Sequence, residues 1–169
     1  FFGRVNYDYK GKYLLEANVR YDGSSMFPEG KKFGLFPSFS AGWRASEEAF
    51  MNWAKPAMSD LKIRGSWGTI GNQDVAANTF ISTMASGTSG WVVNGVNLLR
   101  LSAPTVTSAS LTWEKVTTLD LGFDARFFNG DFGVTFDWYQ RVTSDMHTAG
   151  VTLPSTFGAS VPKINYGEL

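Results

Sequence analysis

The sequence predicts an all-β fold: about six long antiparallel strands in three hairpins, forming a segment of a transmembrane β-barrel. The first observation behind this prediction is an alternation of apolar and polar side chains over stretches of nine or more residues, the period of a strand with one apolar and one polar face. The second is that the connections between these stretches are tight at one end and long and polar at the other, as in outer-membrane barrels. The third is a composition with 15% aromatic residues, 18 glycines and only 18% charged residues, which is typical of β-rich proteins.

The segment from Tyr13 to Asp22 shows the alternation most clearly. One face is apolar with an aromatic ring at each end, and the other is polar after its first residue; the two faces read Tyr13, Leu15, Ala17, Val19, Tyr21 and Leu14, Glu16, Asn18, Arg20, Asp22. Ten residues at about 3.3 Å each, tilted by about 40°, rise about 23 Å, close to the ~25 Å apolar band of a barrel wall. We therefore predict lipid on the apolar side and water on the polar side.

The N-terminal stretch alternates in the same way and is joined to this strand by Lys10-Gly11-Lys12. A three-residue loop with glycine is a common hairpin connection, because glycine readily adopts the left-handed conformation that such a loop needs. Placing Tyr9 opposite Tyr13 puts the apolar residues of both strands on one side. It also sets Arg4 diagonal to Glu16, within reach of an ion pair on the polar face.

The second pair of strands is predicted over residues 35–43 and 61–69. Pro37 lacks the N–H that a ladder needs, so we expect a strand end or a bulge at this position. The connection 44–60 breaks the alternation. Within it, Ser46 followed by two glutamates predicts a short helix with Ser46 as its N-cap, and we expect that helix to close a turn of the barrel.

The third pair is predicted over residues 113–127 and 132–143, with Asn129-Gly130 as a strong turn signal between them. The remaining connections lie at the opposite end of the strands, and all are long and polar. They comprise residues 23–33, residues 71–110 and the tail after Ser144, which we expect to be irregular. A connection of about forty residues without regular structure is unusual inside a compact domain unless it is functional.

The polar and apolar faces supply two sets of candidate residues. The lumen-facing candidates are Arg4, Glu16, Arg20, Arg64, Asp120, Asp124, Asp137 and Arg141. The candidates for lipid contact or an aromatic girdle are Tyr13, Tyr21, Trp43, Trp67, Trp113 and Trp138, because aromatic rings favour the membrane interface. In the longest loop, Phe80 and Trp91 are candidates for stacking on a sugar ring, for contact with a partner protein, or for packing the loop against its neighbours.

Several functional classes are excluded or disfavoured. The chain has no cysteine, so it has neither a disulfide nor a thiolate site, and its formal net charge of 0 gives no reason to expect nucleic-acid binding. No run of 18 apolar residues is present, which excludes a transmembrane helix. His147 is the only histidine and has no carboxylate at a suitable spacing, so we predict no metal, no cofactor and no catalytic residue. The segment Gly65–Gly71 lacks the Lys-Ser/Thr ending of a phosphate-binding loop.

Two alternatives remain open from the pattern alone. A soluble β-sandwich that binds carbohydrate would also alternate, with the apolar face as its core. It would expose no large apolar face, and its strands would usually be shorter. A barrel-anchored glycosidase could use two of the aspartates on the polar face, although ion pairing across strands explains those residues more simply.

A series of short motifs resembles the SusC/RagA family of TonB-linked outer-membrane transporters. Each motif is weak alone, but they occur in order over nearly the whole chain. They include Phe2-Gly3-Arg4-Val5-Asn6-Tyr7, Asp22-Gly23-Ser24-Ser25, Phe36-Pro37-Ser38, Gly42-Trp43, Leu61-Lys62-Ile63-Arg64, Gly71-Asn72-Gln73, Trp113-Glu114, Leu121-Gly122-Phe123-Asp124 and Asp137-Trp138-Tyr139.

The resemblance implies a plugged barrel of roughly 22 strands in the outer membrane of a Gram-negative, Bacteroidetes-like bacterium. Such a barrel imports oligosaccharides or peptides, is covered by a SusD-like surface lipoprotein and is energised by the TonB complex. We expect residues 1–169 to belong to the barrel domain alone, with the plug domain and the TonB-contacting segment lying outside this sequence. Six strands are too few to close a barrel, so this segment would be part of a transporter wall.

Overall fold

A computed structural model describes residues 1–76, 79–108, 110–150, 152, 154–159 and 161–169, and these residues form antiparallel β-sheets. No helix among them is long and apolar enough to cross a membrane. The strands are β1 (Phe2–Tyr9), β2 (Tyr13–Gly23), β3 (Phe33–Arg44), β4 (Met58–Asn72), β5 (Ser86–Val93), β6 (Val96–Leu101), β7 (Glu114–Phe127), β8 (Phe132–Ser144), β9 (Met146–Ala149) and β10 (Lys163–Gly167).

The largest sheet, here called the wall sheet, has six strands in the order β1-β2-β3-β4-β7-β8. These are the six strands that the sequence predicts, and the predicted register of the first hairpin is confirmed, with Tyr9 opposite Tyr13. The loop between them contains two left-handed residues, Lys10 (φ 55°) and Gly11 (φ 65°). The Lys12 N–H donates to the Tyr9 carbonyl, which closes the turn.

The apolar face of the wall sheet is uncovered. Its residues Leu15, Val19, Ile63, Leu121 and Phe136 remain between 42% and 54% exposed. A β-sandwich would bury this face against a second sheet, so the exposure contradicts the soluble sandwich interpretation. A strand surface that is apolar and exposed across six strands is the surface of a membrane barrel wall.

A hydrophobic core lies instead at the long-loop end, on the polar-face side of the sheet. This mouth cluster consists of Phe27, Phe36, Leu111 and Trp113, each at most 6% exposed. Trp113 was predicted to face lipid, and that prediction is wrong. β7 begins one residue later, at Glu114, so Trp113 is outside the strand. Its ring packs against Phe27 (5.2 Å) and Phe36 (5.4 Å).

The connection between β3 and β4 differs from its prediction in detail. It contains two short 3-10 helices, Ala45–Glu47 and Ala49–Met51. Ser46 is not the N-cap of either helix; it is 2% exposed, and its hydroxyl donates to Asp60 Oδ1 at 3.1 Å. The buried serine holds the connection to the start of β4 rather than capping a helix.

Two segments expected to be irregular contain antiparallel strand pairs. β5 pairs with β6 across Asn94 and Gly95, which both have positive φ angles (50° and 78°). After β8, the strands β9 and β10 form a second small antiparallel pair. The expectation of irregular structure is therefore wrong for both segments.

Pro37 affects only one of the two ladders of β3. The strand pairs with β2 continuously from Phe33 to Trp43, with Pro37 opposite Val19, so no bulge occurs there. The ladder with β4 ends one residue away, at the Ser38–Gly68 pair. Because β4 continues to pair with β7 as far as Asn72, the wall sheet is divided between β3 and β4 at its long-loop end.

Candidate functional site on the polar face

The polar face of the wall sheet gathers most of the predicted lumen-facing residues. Strand pairing places side chains of paired residues on the same face, and it aligns Arg4 with Asn18, Arg20 with Phe2, and Arg64 with Gly122. The middle of the face is lined by small residues of β3 and β4. These are Ser38, Ser40, Gly42, Ser66 and Gly68, and they form a shallow strip between two groups of charged residues.

The first charged group lies on β1 and β2. Arg4 Nε donates to Asn18 Oδ1 at 2.7 Å and is 3.7 Å from Glu16 Oε1, so the predicted diagonal ion pair is present. Asn18 in turn donates to Glu16 Oε1 at 2.7 Å. Arg20 pairs with Asp22 on its own strand, at 2.7 Å. These contacts are exposed, so each stabilises the fold weakly while keeping the face strongly polar.

The second charged group is centred on Arg64 of β4. Its guanidinium contacts Asp137 Oδ1 at 2.6 Å, Asp124 Oδ2 at 3.2 Å and Asp120 Oδ1 at 3.8 Å. Asp124 also accepts a hydrogen bond from the Thr135 hydroxyl at 3.1 Å. Lys62 stands opposite Asp124 on the same face, so two cations, Arg64 and Lys62, lie among the three carboxylates.

Gly122 makes this second group possible. It stands on β7 between Arg64 on β4 and Asp137 on β8. A Cβ at this position would collide with the Asp137 carboxylate and would lie 3.2 Å from Arg64 Cζ. The absence of a side chain therefore lets the ion pair cross over the middle strand, joining three strands of the wall.

Arg141 shares this face through its pairing with Thr118, and its side chain is exposed. The predicted lipid-facing residues other than Trp113 belong to the apolar face. Tyr13 and Tyr21 are about equally exposed, at 43% and 42%, and Tyr21 stacks on Phe33. Trp67 and Trp138 are 39% and 47% exposed, and Trp43 is half-buried against Phe50.

The long-loop end contains a network that sequence reasoning missed. His147 lies in β9, where its backbone N–H donates to Glu114 Oε1 at 2.8 Å and its ring Nε2 is 2.8 Å from the Thr112 carbonyl. The expectation that His147 has no carboxylate partner is therefore wrong. Asn165 of β10 also donates to the Thr112 carbonyl, at 2.9 Å. These bonds fasten the β9–β10 pair to the start of β7, beside the mouth cluster.

Phe80 and Trp91 are not brought together. Phe80 is half-buried, whereas Trp91 is 79% exposed on β5. The β5–β6 hairpin also exposes Val92, Val96 and Leu99, at 62%, 64% and 73%. The Asn94-Gly95 pair between valines was a signal that could have revealed this hairpin from the sequence.

At the opposite end, Glu48 joins the first hairpin to the β3–β4 connection. It accepts hydrogen bonds from the Tyr13 hydroxyl at 2.7 Å and from Lys12 Nζ at 3.1 Å. These two donors hold the pKa of Glu48 below its usual value, because both favour the ionised carboxylate. The contact fixes two neighbouring turns relative to each other.

Comparison with known proteins places this geometry in context. The family model described as TonB dependent receptor-like, beta-barrel, matches residues 1–169. The chain is 35% identical over its whole length to TonB-dependent receptor P26 of Formosa agariphila and 33% identical to TonB-dependent receptor SusC of Bacteroides thetaiotaomicron. It spans only 17% of the length of each of these relatives.

Solved structures of a peptide importer, RagAB, are similar in fold. In its "open-open" state the TM-score is 0.83, and in its "closed-closed" state it is 0.81, with 25% sequence identity in both. Each match covers 99% of this chain and 18% of the matched chain. The chain therefore matches a part of each of these longer structures.

Proposed function

The chain belongs to the TonB dependent receptor-like β-barrel family, and on that premise we propose that it forms part of the wall of an outer-membrane importer. The importer would take up oligosaccharides or peptides with energy from the TonB complex. The relatives are named as TonB-dependent receptors and the similar structure as a peptide importer, and oligosaccharides are the second cargo class that the SusC/RagA resemblance implies. The observation that carries the proposal is the exposure of the apolar face directly behind a charged face. Only a wall with lipid outside and water inside stabilises both surfaces.

Paired neighbouring positions test the two faces. In the full-length protein on a cysteine-free background, Ser40→Cys lies on the polar face and Ala41→Cys on the apolar face of the same strand. We expect a small membrane-impermeant maleimide to label Ser40→Cys and not Ala41→Cys in intact outer membranes. Equal labelling of both positions, or labelling of Ala41→Cys alone, would contradict the proposed wall.

Import itself can be tested with the whole protein. Cells that produce the full-length importer should take up a labelled oligosaccharide or peptide pool, and removal of TonB should abolish the uptake. Binding of the pool without TonB-dependent uptake would contradict the transport proposal. The charged group around Arg64 is expected to act as a hydrated surface for polar cargo rather than as a catalytic centre, so hydrolysis of the pool would also contradict the proposal.

The β5–β6 hairpin favours a second role, contact with a SusD-like surface lipoprotein. Between Val75 and Trp113 the sequence has one charged residue, Arg100. Protein interfaces are depleted of charge at their centres and enriched in tryptophan and arginine, and this hairpin has that composition. Its exposed Trp91, Val92, Val96 and Leu99 would be covered when the lipoprotein closes over the mouth.

The two candidate partners of Trp91 can be separated in the purified complex. If the hairpin contacts the lipoprotein, Trp91→Asp should weaken the association of barrel and lipoprotein, while Thr88→Asp at an exposed position of the same strand has a smaller effect. If Trp91 instead stacks on cargo, the association should be unchanged and the affinity for cargo should fall. Unchanged association and unchanged affinity would contradict both roles.

A further inference from the structure

Three exposed aromatic residues stand at the end of the wall sheet where the turns are short. Phe50 and Trp53 belong to the β3–β4 connection, and Phe128 belongs to the turn between β7 and β8. They are 59%, 81% and 61% exposed, and they are here called the turn patch. Large aromatic residues in this number are unusual in turns that face water.

The turn patch is not part of a loose loop. Ala45 and Ala54 of the same connection are buried, and the Ser46 hydroxyl bonds Asp60. The Phe128 N–H donates to the Ala57 carbonyl at 3.0 Å, which joins the two turns. The connection thus buries the small residues Ala45, Ser46 and Ala54 while both of its aromatic residues remain exposed.

The patch also continues the apolar face of the wall sheet. The Phe50 ring lies 6.2 Å from that of Trp43, which stands on the apolar face between Tyr13 and Ile63. Phe128 follows Phe127, whose ring packs on Phe132 at 6.0 Å. The apolar surface therefore extends past the ends of the strands onto Phe50 and to the turn that contains Phe128.

We propose that the turn patch inserts into the phospholipid headgroup layer on the periplasmic side of the outer membrane and anchors the β3–β4 connection there. The short-turn end of such a barrel is the periplasmic end, and aromatic rings favour the interface between acyl chains and headgroups. Lys55, exposed two residues after Trp53, supplies a cation for the headgroup phosphates. This inference rests on the proposed wall function, because it needs lipid beside the apolar face.

Depth measurements on the full-length protein test the anchor. Single cysteines at Phe50→Cys and Trp53→Cys would carry a fluorophore in vesicles whose phospholipids bear a spin label either on the headgroup or deep in the acyl chain. We expect stronger quenching of both positions by the headgroup label. Leu15→Cys on the wall should be quenched more by the deep label, and Glu29→Cys in the exposed loop at the opposite end by neither.

The controls separate failure of the anchor from failure of the wall. Deep quenching at Leu15→Cys without lipid quenching at the turn patch would overturn the anchor alone, and would indicate that the patch contacts a protein or water. Loss of quenching at Leu15→Cys would overturn the wall as well. In a second measurement, the double variant Phe50→Ser and Trp53→Ser should lower the Tm in bilayers while Ala49→Ser leaves it unchanged. An unchanged Tm in the double variant would also overturn the anchor.

Discussion

The wall sheet and the mouth cluster use the same residue types in opposite ways. Phe36 and Phe39 lie three residues apart on β3 and therefore on opposite faces. Phe39 is 51% exposed on the apolar face, where it stacks on Trp67, whereas Phe36 is 5% exposed and packs edge-on against Trp113. A single strand thus contributes one ring to the uncovered apolar face and another to a buried core. The position of a side chain relative to the pleat, and not its hydrophobicity, decides which.

Replacing each of these two phenylalanines by alanine should change the free energy of unfolding by very different amounts. Phe36→Ala should lower the free energy of unfolding by about 3–5 kcal/mol, because it leaves a cavity in a packed cluster. Phe39→Ala should cost about 1 kcal/mol, since lipid can fill the space that the ring leaves. Urea unfolding of the full-length protein in lipid vesicles measures both values. Equal losses would contradict the distinction between mouth and wall.

A positive charge introduced on one or the other face of the wall sheet tests the difference between the two faces. Leu121→Arg puts a cation on the uncovered apolar face and should cost about 2–4 kcal/mol near the centre of the membrane. Ser66→Arg puts the same side chain on the polar face, opposite Asp120, and should be nearly neutral. Folding yield into vesicles and urea unfolding report the difference. A larger loss for Ser66→Arg would reverse the assignment of the faces.

Replacing the glycine that contacts the mouth cluster should destabilise the protein more than replacing a glycine elsewhere on the wall sheet. A Cβ at Gly71 would collide with the Phe36 ring, which lies across it, while a Cβ at Gly3 would meet nothing within 4 Å. Gly71→Ala should therefore cost about 1–3 kcal/mol through overpacking. Gly3→Ala serves as the control and should be tolerated. If thermal unfolding shows no difference between the two variants, the ring is not held as rigidly as the mouth cluster requires.

At the short-turn end of the wall sheet, Glu48 should make a small contribution to stability that depends on pH. The pKa of Glu48 is lowered in the folded protein by the Tyr13 hydroxyl and the Lys12 ammonium. Its contribution to stability is therefore present above the unfolded-state pKa of about 4.3 and is lost as the pH falls through the lower folded-state value.

The Tm difference between the native protein and Glu48→Gln should shrink as the pH is lowered from neutral through this range. The neighbouring exposed Glu47→Gln is the matched control and should show a smaller difference at neutral pH. A Tm difference for Glu48→Gln that stays constant down to the lowest pH would contradict the role of the ionised carboxylate.

The wall could be predicted from the sequence because its information is local. Alternation marks the strands, and the short loop after Tyr9 fixes the register that brings Arg4 to Glu16. The meeting of three aspartates around Arg64 was harder to predict from the sequence. The sequence identified each residue as polar-face, but their meeting depends on the pairing of three strands around Gly122.

The mouth could not be predicted in the same way because its contacts join distant segments. Trp113 has the parity of a wall residue, yet the chain leaves the strand at that point, and Phe27 comes from a separate loop. The contact of His147 with Glu114 likewise depends on how the tail folds back. Alternation describes neither event, since it reports only which face of a strand a residue occupies.

Because the β3–β4 ladder ends beside Pro37, the long-loop end of the wall sheet is held together less firmly than its middle. Between Ser38 and the short-turn end of the wall sheet, β2, β3, β4 and β7 each share backbone hydrogen bonds with two neighbours. A displacement of one strand is therefore transmitted to the next. Towards the long loops, β1–β2–β3 and β4–β7–β8 are two groups without a backbone ladder between them, and the Thr69 hydroxyl donates across the gap to the Pro37 carbonyl. The side chains of the mouth cluster and the bond from Trp113 Nε1 to the Lys32 carbonyl tie them together. A force on one of the long loops would therefore first displace the strands that carry that loop. The side-chain contacts between the two groups of strands would separate before any backbone hydrogen bond of the wall sheet broke.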